Sequence, residues 1–301
     1  MKHAYLIMVQ KQSELLAYQL PLLDHPRCDI YIHIDKKANK CKPELLKMLV
    51  KKSNLFFVNS MVVRYGAYSQ IECQIELMRK AAKQKYCYYH FLCDCDLPLR
   101  TQDHILDFFK THQGREFVHI YGKNFKDGMR RRANYMTEAY DASFKLFTHK
   151  TEKLEYPWSL STQLNPETII SANAGFTLQA GINACSITHD LVSLILLKTP
   201  WCEQYLSKIG GVCELFFQTI LWNSMMKQNI YYHKYDNWSN ATMRYIDYRK
   251  GNPYVWKSKD FDTLIRSPYL FAGPVDNKKT NSIAKQIYDY VMAKRNESKK
   301  R

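Results

Sequence analysis

Glu214 heads an apolar run, Glu214-Leu215-Phe216-Phe217-Gln218-Thr219, just after the glycine pair Gly210-Gly211. A carboxylate in that position either serves the positive end of a helix dipole or acts as a general base that takes the proton from an attacking hydroxyl. Asp94 and Asp96 sit one residue apart in Cys93-Asp94-Cys95-Asp96-Leu97-Pro98, directly after the apolar run Tyr88 to Leu92. Such a D-x-D can hold a divalent ion that bridges a diphosphate, while an Asp before Leu-Pro also suits a turn or a helix cap. Arg244, in Met243-Arg244-Tyr245-Ile246-Asp247-Tyr248, offers a planar fork for bidentate phosphate contact, or else a surface cation on an edge strand.

The elements that must position these groups read as alternating strands and helices. His3 to Val9 is a short apolar run, Ser13 to Leu23 carries helical spacing, and Asp29 to Ile34 is a second buried-strand pattern ending in Asp35. The rhythm continues with Leu55 to Val58 as strand, Ser69 to Lys83 as helix, Tyr88 to Leu92 as strand, a helix over His104 to Thr111 started near Thr101 and Asp103, and Glu116 to Ile120 as strand. This alternation predicts a mostly parallel sheet with ligands at the carboxyl ends of its strands, where Asp35 and the Asp94/Asp96 pair both fall. From Tyr121 to about Ser171 the chain is charged and weakly periodic, which predicts a variable insertion or loop. Helices are expected over Ile187 to Leu197, Cys213 to Lys227 and Ile283 to Arg295, the last with Ile283, Ile287 and Val291 on one stripe.

No repeat and no Gly/Ser-rich linker divides the 301 residues, so a single domain is expected, with residues 1–120 as a nucleotide-binding half, 121–171 as the insertion and 172–301 as the acceptor and catalytic half. Nine cysteines at irregular spacings, with only a C-x-C pair close together, read as reduced core residues rather than a zinc ribbon. The apolar runs fall short of the roughly 20 residues that span a bilayer and the first ten residues lack a signal-peptide layout, so the expectation is a cytoplasmic protein. A net charge of +16 calls for an anionic partner: a nucleotide pyrophosphate, nucleic acid or an anionic membrane surface. Scattered basic residues without a binding motif argue against nucleic acid.

Eight blocks stand in an order that resembles the core-2/I-branching β-1,6-N-acetylglucosaminyltransferase family: His3 to Met8, Asp29 to Lys37, Arg64 to Ser69, Phe91 to Thr101, Gly181 to Thr188, Glu214 to Ser224, Met243 to Tyr248 and Leu270 to Asp276. The resemblance implies a GT-A-like α/β fold, a UDP-sugar donor such as UDP-N-acetylglucosamine, inversion at the anomeric carbon and no required metal. By the same resemblance Glu214 is the base, Arg244 contacts the donor diphosphate, Asp35, Arg64 and Asp96 lie by the donor, and Asn183 and Ser186 face the acceptor. The acceptor is expected to be a glycan, for example a lipid-linked glycan of a bacterial surface polysaccharide, met at the inner membrane face. Three departures from the family pattern stand out. A phosphate-binding Lys is replaced within Phe271-Ala272-Gly273-Pro274-Val275-Asp276, so Lys278 or Lys279 is expected to supply the charge. Asp94 replaces a Gly, which creates a D-x-D through which Mn²⁺ can bind. An aromatic expected at the acceptor site is Ala184.

Overall fold

A computed structural model describes residues 2–10, 14–38, 41–64, 66–122, 177–207, 211–235, 239–251, 253–276 and 282–298. Its centre is a five-stranded sheet of β1 (His3–Val9), β2 (Cys28–Ile34), β3 (Asn54–Phe57), β4 (Tyr88–Cys93) and, after a two-residue β5 (Leu97–Pro98), β6 (Ser186–Thr188), in the order β3-β2-β1-β4-β6. β1, β2, β3 and β4 are parallel and β6 runs antiparallel to β4, so the chain forms an α/β fold with a mostly parallel sheet. All seven residues of β1 are buried: Ala4, Leu6 and Met8 join one core cluster, Tyr5, Ile7 and Val9 the other. Both faces must therefore be covered, as the continuous apolar runs of these strands require.

Helices supply the cover. On one face lie α1 (Leu16–Leu23) and, beyond the short α2 (Pro43–Lys47) and α3 (Ser69–Ala81), α4 (Gln102–Thr111), which contribute Leu16, Leu20, Ile105, Leu106 and Phe109. α3 covers the opposite face together with α5 (His189–Leu197), α6 (Thr199–Leu206) and α7 (Phe216–Trp222). Thr101 caps α4, its side chain accepting from the His104 N–H. A second sheet of β5, β7 (Arg244–Tyr245) and β8 (Phe271–Ala272) packs with α8 (Phe261–Arg266) and α9 (Ile283–Ser298) around Trp256. Ile283, Ile287 and Val291 form the buried stripe of α9 as expected.

Three expected elements differ. The run Glu116 to Ile120 makes only isolated bridges, Glu116 with Ile230 and Phe117 with Ser186, because no long neighbouring strand lies beside it among the described residues. Ile187 is in β6 and not in a helix; the β-branched pair Ile187-Thr188 extends the chain, and the Thr188 hydroxyl then caps α5 by accepting from the Leu191 N–H. The span expected as one helix from Cys213 to Lys227 is three pieces, a 3₁₀ turn Val212–Glu214, α7, and a 3₁₀ turn Met225–Asn229. Asn223 ends α7 by donating from Nδ2 to the Thr219 carbonyl, and the Ser224 hydroxyl then accepts from the Met226 N–H to start the next turn. The insertion expected at 121–171 lies outside the described residues after 122.

Candidate functional site

The strand order reverses direction between β1 and β4, which places a crevice at their carboxyl ends. Asp94 closes this mouth: its Oδ2 accepts from the Gln10 N–H at 3.1 Å, joining the ends of β1 and β4. Asp96 follows in a tight turn in which its own N–H donates to the Cys93 carbonyl (3.2 Å) and its Oδ2 accepts from the Cys93 N–H (2.8 Å). Gln19 braces the turn by donating from Nε2 to the carbonyls of Cys93 (2.8 Å) and Asp96 (2.7 Å). Burial pushes the Asp96 carboxyl up to about 6, against the pull of the Cys93 N–H and of Arg244; nearby Asp94 adds to the rise. The backbone of Gly273 lies so close that a Cβ there would stand 1.9 Å from Asp96 Oδ1. Glycine is the residue that this approach admits.

Asp35, at the end of β2, is a framework residue with a site at its edge. Its Oδ2 accepts from the Val63 N–H (3.0 Å) and its Oδ1 from the Lys37 N–H (2.8 Å), while Lys37 Nζ reaches the Val63 carbonyl (2.6 Å). The segment so anchored continues through Arg64, whose N–H donates to the Ser69 hydroxyl at the start of α3. Gly66 then accepts from the Gly211 N–H (2.8 Å), and the Gly211 carbonyl accepts from the Glu214 N–H (3.3 Å). Gly211 has φ +68°, a left-handed turn that glycine adopts without strain. Hydrogen bonds at Val63, Gly66 and Gly211, joined along the chain, thus link the end of β2 to the backbone of the half-buried Glu214.

The Glu214 carbonyl is fixed in turn by the Gly181 N–H (2.9 Å). A Cβ on Gly181 would stand 1.8 Å from the His119 carbonyl oxygen, so this contact too depends on glycine. Gln218, one turn into α7, donates from Nε2 to the Ile182 carbonyl (3.0 Å). Asn183 accepts from Gln74 Nε2 (3.1 Å), which ties the same segment to α3. Of the two residues expected to face an acceptor, Asn183 keeps partial exposure and Ser186 does not. Ser186 is fully buried in β6, with its hydroxyl against His90 Nδ1 (2.7 Å) and Arg244 Nη2 (3.1 Å). Burial in the sheet is the reason it cannot reach an acceptor, and that expectation is corrected.

Arg244 is likewise neither an edge-strand surface cation nor open to the crevice. It is 1% exposed. Its Nη1 donates to the Thr242 carbonyl (2.7 Å), its Nη2 to the carbonyls of Phe91 (3.1 Å) and Cys185 (2.7 Å), and its guanidinium lies 5.1 Å from the centre of the Phe271 ring. Both terminal nitrogens thus donate inside the protein, while the buried Nε has no hydrogen-bond partner among the described residues. Arg244 joins β4, β6 and β8, and its charge favours the ionised form of Asp96. Lys278 and Lys279 lie outside the described residues. Among the described residues, no group of three or more His, Cys, Asp or Glu is gathered as for a metal ion, so any ion at Asp94 and Asp96 would draw further ligands from its substrate or water.

The sequence reading missed the residues that hold this frame: Gln10 through its backbone, Gln19, Gln74, Gly181 and Lys37. Gly181 and Lys37 do fall in the quoted blocks, where a glycine beside an apolar run signals a close backbone approach. No local pattern marks Gln19, whose partners are 74 and 77 residues away.

No helix among the described residues is long and apolar enough to cross a membrane. The chain is 21% identical over 308 aligned positions to xylosyltransferase 1 of Homo sapiens and of Pan troglodytes, covering 96% of this chain and 30% of those proteins, and to the Rattus norvegicus protein, covering 35% of it. It therefore spans about a third of the length of these relatives. Among solved structures, mouse xyloside xylosyltransferase 1 in its apo form aligns at 11% identity and TM-score 0.38, over 90% of this chain and 96% of that one. S. aureus TarS 1–349 aligns at 15% identity and TM-score 0.30, over 41% and 36%. The model of the Core-2/I-Branching enzyme family matches residues 3–263, a span that takes in β1, the Asp35 frame, the Asp94–Asp96 turn, Glu214 and Arg244, and on that match the chain belongs to the Core-2/I-branching enzyme family of glycosyltransferases.

Proposed function

We propose that this chain is an inverting, GT-A-like glycosyltransferase that moves a sugar, N-acetylglucosamine from UDP-N-acetylglucosamine, to a hydroxyl of a glycan or lipid-linked glycan, in surface polysaccharide synthesis. The single observation that carries the reading is the path from Asp35 by a hydrogen bond to Val63, along the chain to Gly66, and by backbone hydrogen bonds through Gly211 to Glu214, which fixes the backbone of that half-buried residue relative to the carboxyl end of the sheet. Glu214 takes the acceptor hydroxyl's proton as the oxygen attacks the anomeric carbon. The bond to the UDP oxygen breaks on the opposite face, and the electron pair leaves with the diphosphate. Countering that charge is the larger electrostatic task, and we assign it to Lys37, whose exposed side chain stands beside Asp35 at the end of β2, and to Arg64, which follows Val63 in the anchored segment. Arg244 acts behind Asp96 and not on the ligand. The +16 charge suits a peripheral position at an anionic membrane surface, where the lipid-linked acceptor would be met.

A second donor, UDP-xylose, is favoured by one finding: the curated relatives named above are xylosyltransferases. Turnover and binding across a panel of UDP-sugars, with EDTA or with Mn²⁺, separate the possibilities. The expected result is metal-independent turnover that falls about 10²–10⁴-fold in Glu214→Gln with UDP binding unchanged. Strict Mn²⁺ dependence that disappears in Asp94→Ala would instead assign the D-x-D a metal-holding role. Retention of full turnover by Glu214→Gln would remove Glu214 from the mechanism.

A further inference from the structure

Helix α2 sends one side chain inward, Leu46, which joins the core on one face of β2 and β3. Its outward side carries Leu45, 58% exposed, and Met48 directly after the helix is 73% exposed. Half-buried Leu55 and Phe57 continue this apolar surface onto β3, the outermost strand of the sheet, and Val62 beyond it is 44% exposed. A single exposed leucine is ordinary, but a group of apolar side chains framed by charge marks a contact surface. The frame here is basic: residues 36–52 hold seven lysines and one acid, Glu44. Lys47 reaches back over the Phe57 ring, its Nζ 5.9 Å from the ring centre. The Asp24 carboxylate accepts from the N–H groups of Lys51 (3.1 Å), Lys52 (2.8 Å) and Ser53 (2.8 Å), which fixes the turn into β3 with both lysines exposed. At the other end the N–H of exposed Lys36 donates to the Met61 carbonyl (3.2 Å), next to Val62.

We propose that α2 and the β3 edge form the face that docks on an anionic lipid bilayer, with Leu45 and Met48 entering the headgroup region and the lysines meeting lipid phosphates. This deepens the peripheral membrane position proposed above and rests on that reading for its purpose, which is to hold the Lys37 end of the sheet near a lipid-linked acceptor. Charge complementarity selects the partner. An anionic surface raises affinity about fivefold for each lysine brought against it. A second copy of this chain would set the same lysines against their own kind, so like charges oppose a homodimer across this face. A folded protein partner buries about 800 Å² on each side in matched shapes, which a few protruding side chains do not supply. A bilayer receives such side chains without matched shape, and adds their burial to the electrostatic attraction.

The test sediments the full chain with phosphatidylcholine vesicles, with and without phosphatidylglycerol, at low and high salt and in the absence of donor and acceptor. The expected result is binding that requires phosphatidylglycerol and is lost at high salt. Lys47→Glu/Lys51→Glu weakens it at least tenfold, and Leu45→Ser/Met48→Ser, which changes only exposed side chains, weakens it roughly tenfold. A charge-matched control, Lys110→Glu/Lys259→Glu, reverses exposed lysines at the end of α4 and in the turn Ser258–Asp260; it stays within about threefold of the wild type. In Met48→Trp the added fluorescence is quenched by brominated acyl chains. Equal loss in the control would overturn the face in favour of overall charge. Undiminished binding of Leu45→Ser/Met48→Ser would overturn the entry of the apolar pair. Absence of vesicle binding, with or without self-association in sedimentation equilibrium, would overturn the proposal whatever the turnover. Vesicle binding as expected in a chain that transfers no sugar would keep the face and strike the catalytic reading instead.

Discussion

Replacing Arg244 distinguishes a ligand-binding cation from an internal brace. In Arg244→Met the side-chain volume is roughly kept and the charge is lost. The carbonyls of Phe91, Cys185 and Thr242 each lose a donor at 2.7–3.1 Å, and Asp96 loses its nearby positive charge. Hydrogen bonds to charged groups contribute about 1.5–3 kcal/mol each, and breaking a buried charged network costs about 3–5 kcal/mol in all. For a chain of 301 residues that corresponds to a fall in Tm of about 5–8 °C. Arg244→Lys restores a charge without the fork, because an ammonium on a shorter reach cannot meet carbonyls on three elements at once, so only part of the loss is recovered. The measurements are thermal unfolding and UDP binding by calorimetry well below the lowest Tm. The brace predicts a large fall in Tm with binding changed by no more than about threefold, less than 1 kcal/mol. An unchanged Tm with UDP affinity down tenfold or more would refute the reasoning and return Arg244 to the diphosphate.

Gly181→Ala forces a Cβ to within 1.8 Å of the His119 carbonyl and must push the 180–183 segment away from Glu214; activity is expected to fall at least tenfold while far-UV circular dichroism stays native. Glu116 supplies a pH test: burial pushes its carboxyl up to about 7, although it accepts from the Thr188 N–H and hydroxyl. Because the folded pKa lies above the unfolded one, the ionised group destabilises the fold above pH 7, and this cost disappears as pH falls toward about 4.5, the unfolded value. Glu116→Gln is therefore expected to exceed the wild type by up to about 3 kcal/mol at pH 8 and to converge with it near pH 4.5, read from urea unfolding at a series of pH values. Parallel stability curves for the two proteins would show that Glu116 does not titrate in that window.

Periodicity and order of motifs made the parallel part of the sheet legible. β1, β2 and β4 are apolar on both faces because helices cover both, and that requirement is written locally in their runs. β6 escaped because its three residues open directly into α5, and apolar content is continuous across the junction; the capping Thr188 was the local sign of the boundary. Glu116 to Ile120 carries a strand composition, yet strand formation needs a neighbour, and a neighbour is a property of the tertiary fold. At the site, Glu214, Asp35 and the Asp94–Asp96 turn fall where their motifs indicated. Arg244 and Ser186 do not, because a motif gives residue type and order but not which way a side chain faces. The same Ser186 hydroxyl, 3.1 Å from Arg244, is part of what turns that arginine inward.

The inward arginine and the altered Phe271 to Asp276 block have one physical explanation. Where the family pattern has Arg or Asn followed by Lys, this chain has Gly273-Pro274. Any side chain at position 273 would strike the Asp96 carboxylate, so a large polar residue there is incompatible with Asp96 in its present place. Asp96 in turn stays by Gly273 because β5 pairs with β8, and β8 pairs with the β7 strand that carries Arg244. The second sheet therefore couples two of the sequence departures into one arrangement: the space vacated at 273 admits Asp96, and Asp96 shares its buried surroundings with Arg244. Under the function proposed above, the cation for the donor diphosphate comes from outside this cluster. Lys37 meets that condition, since its side chain is 56% exposed while its Nζ remains 3.5 Å from the fixed Asp35. Its charge is held at the end of β2 by a carboxylate whose two oxygens are already anchored to the backbone, the arrangement that lets a surface cation keep one position without being buried.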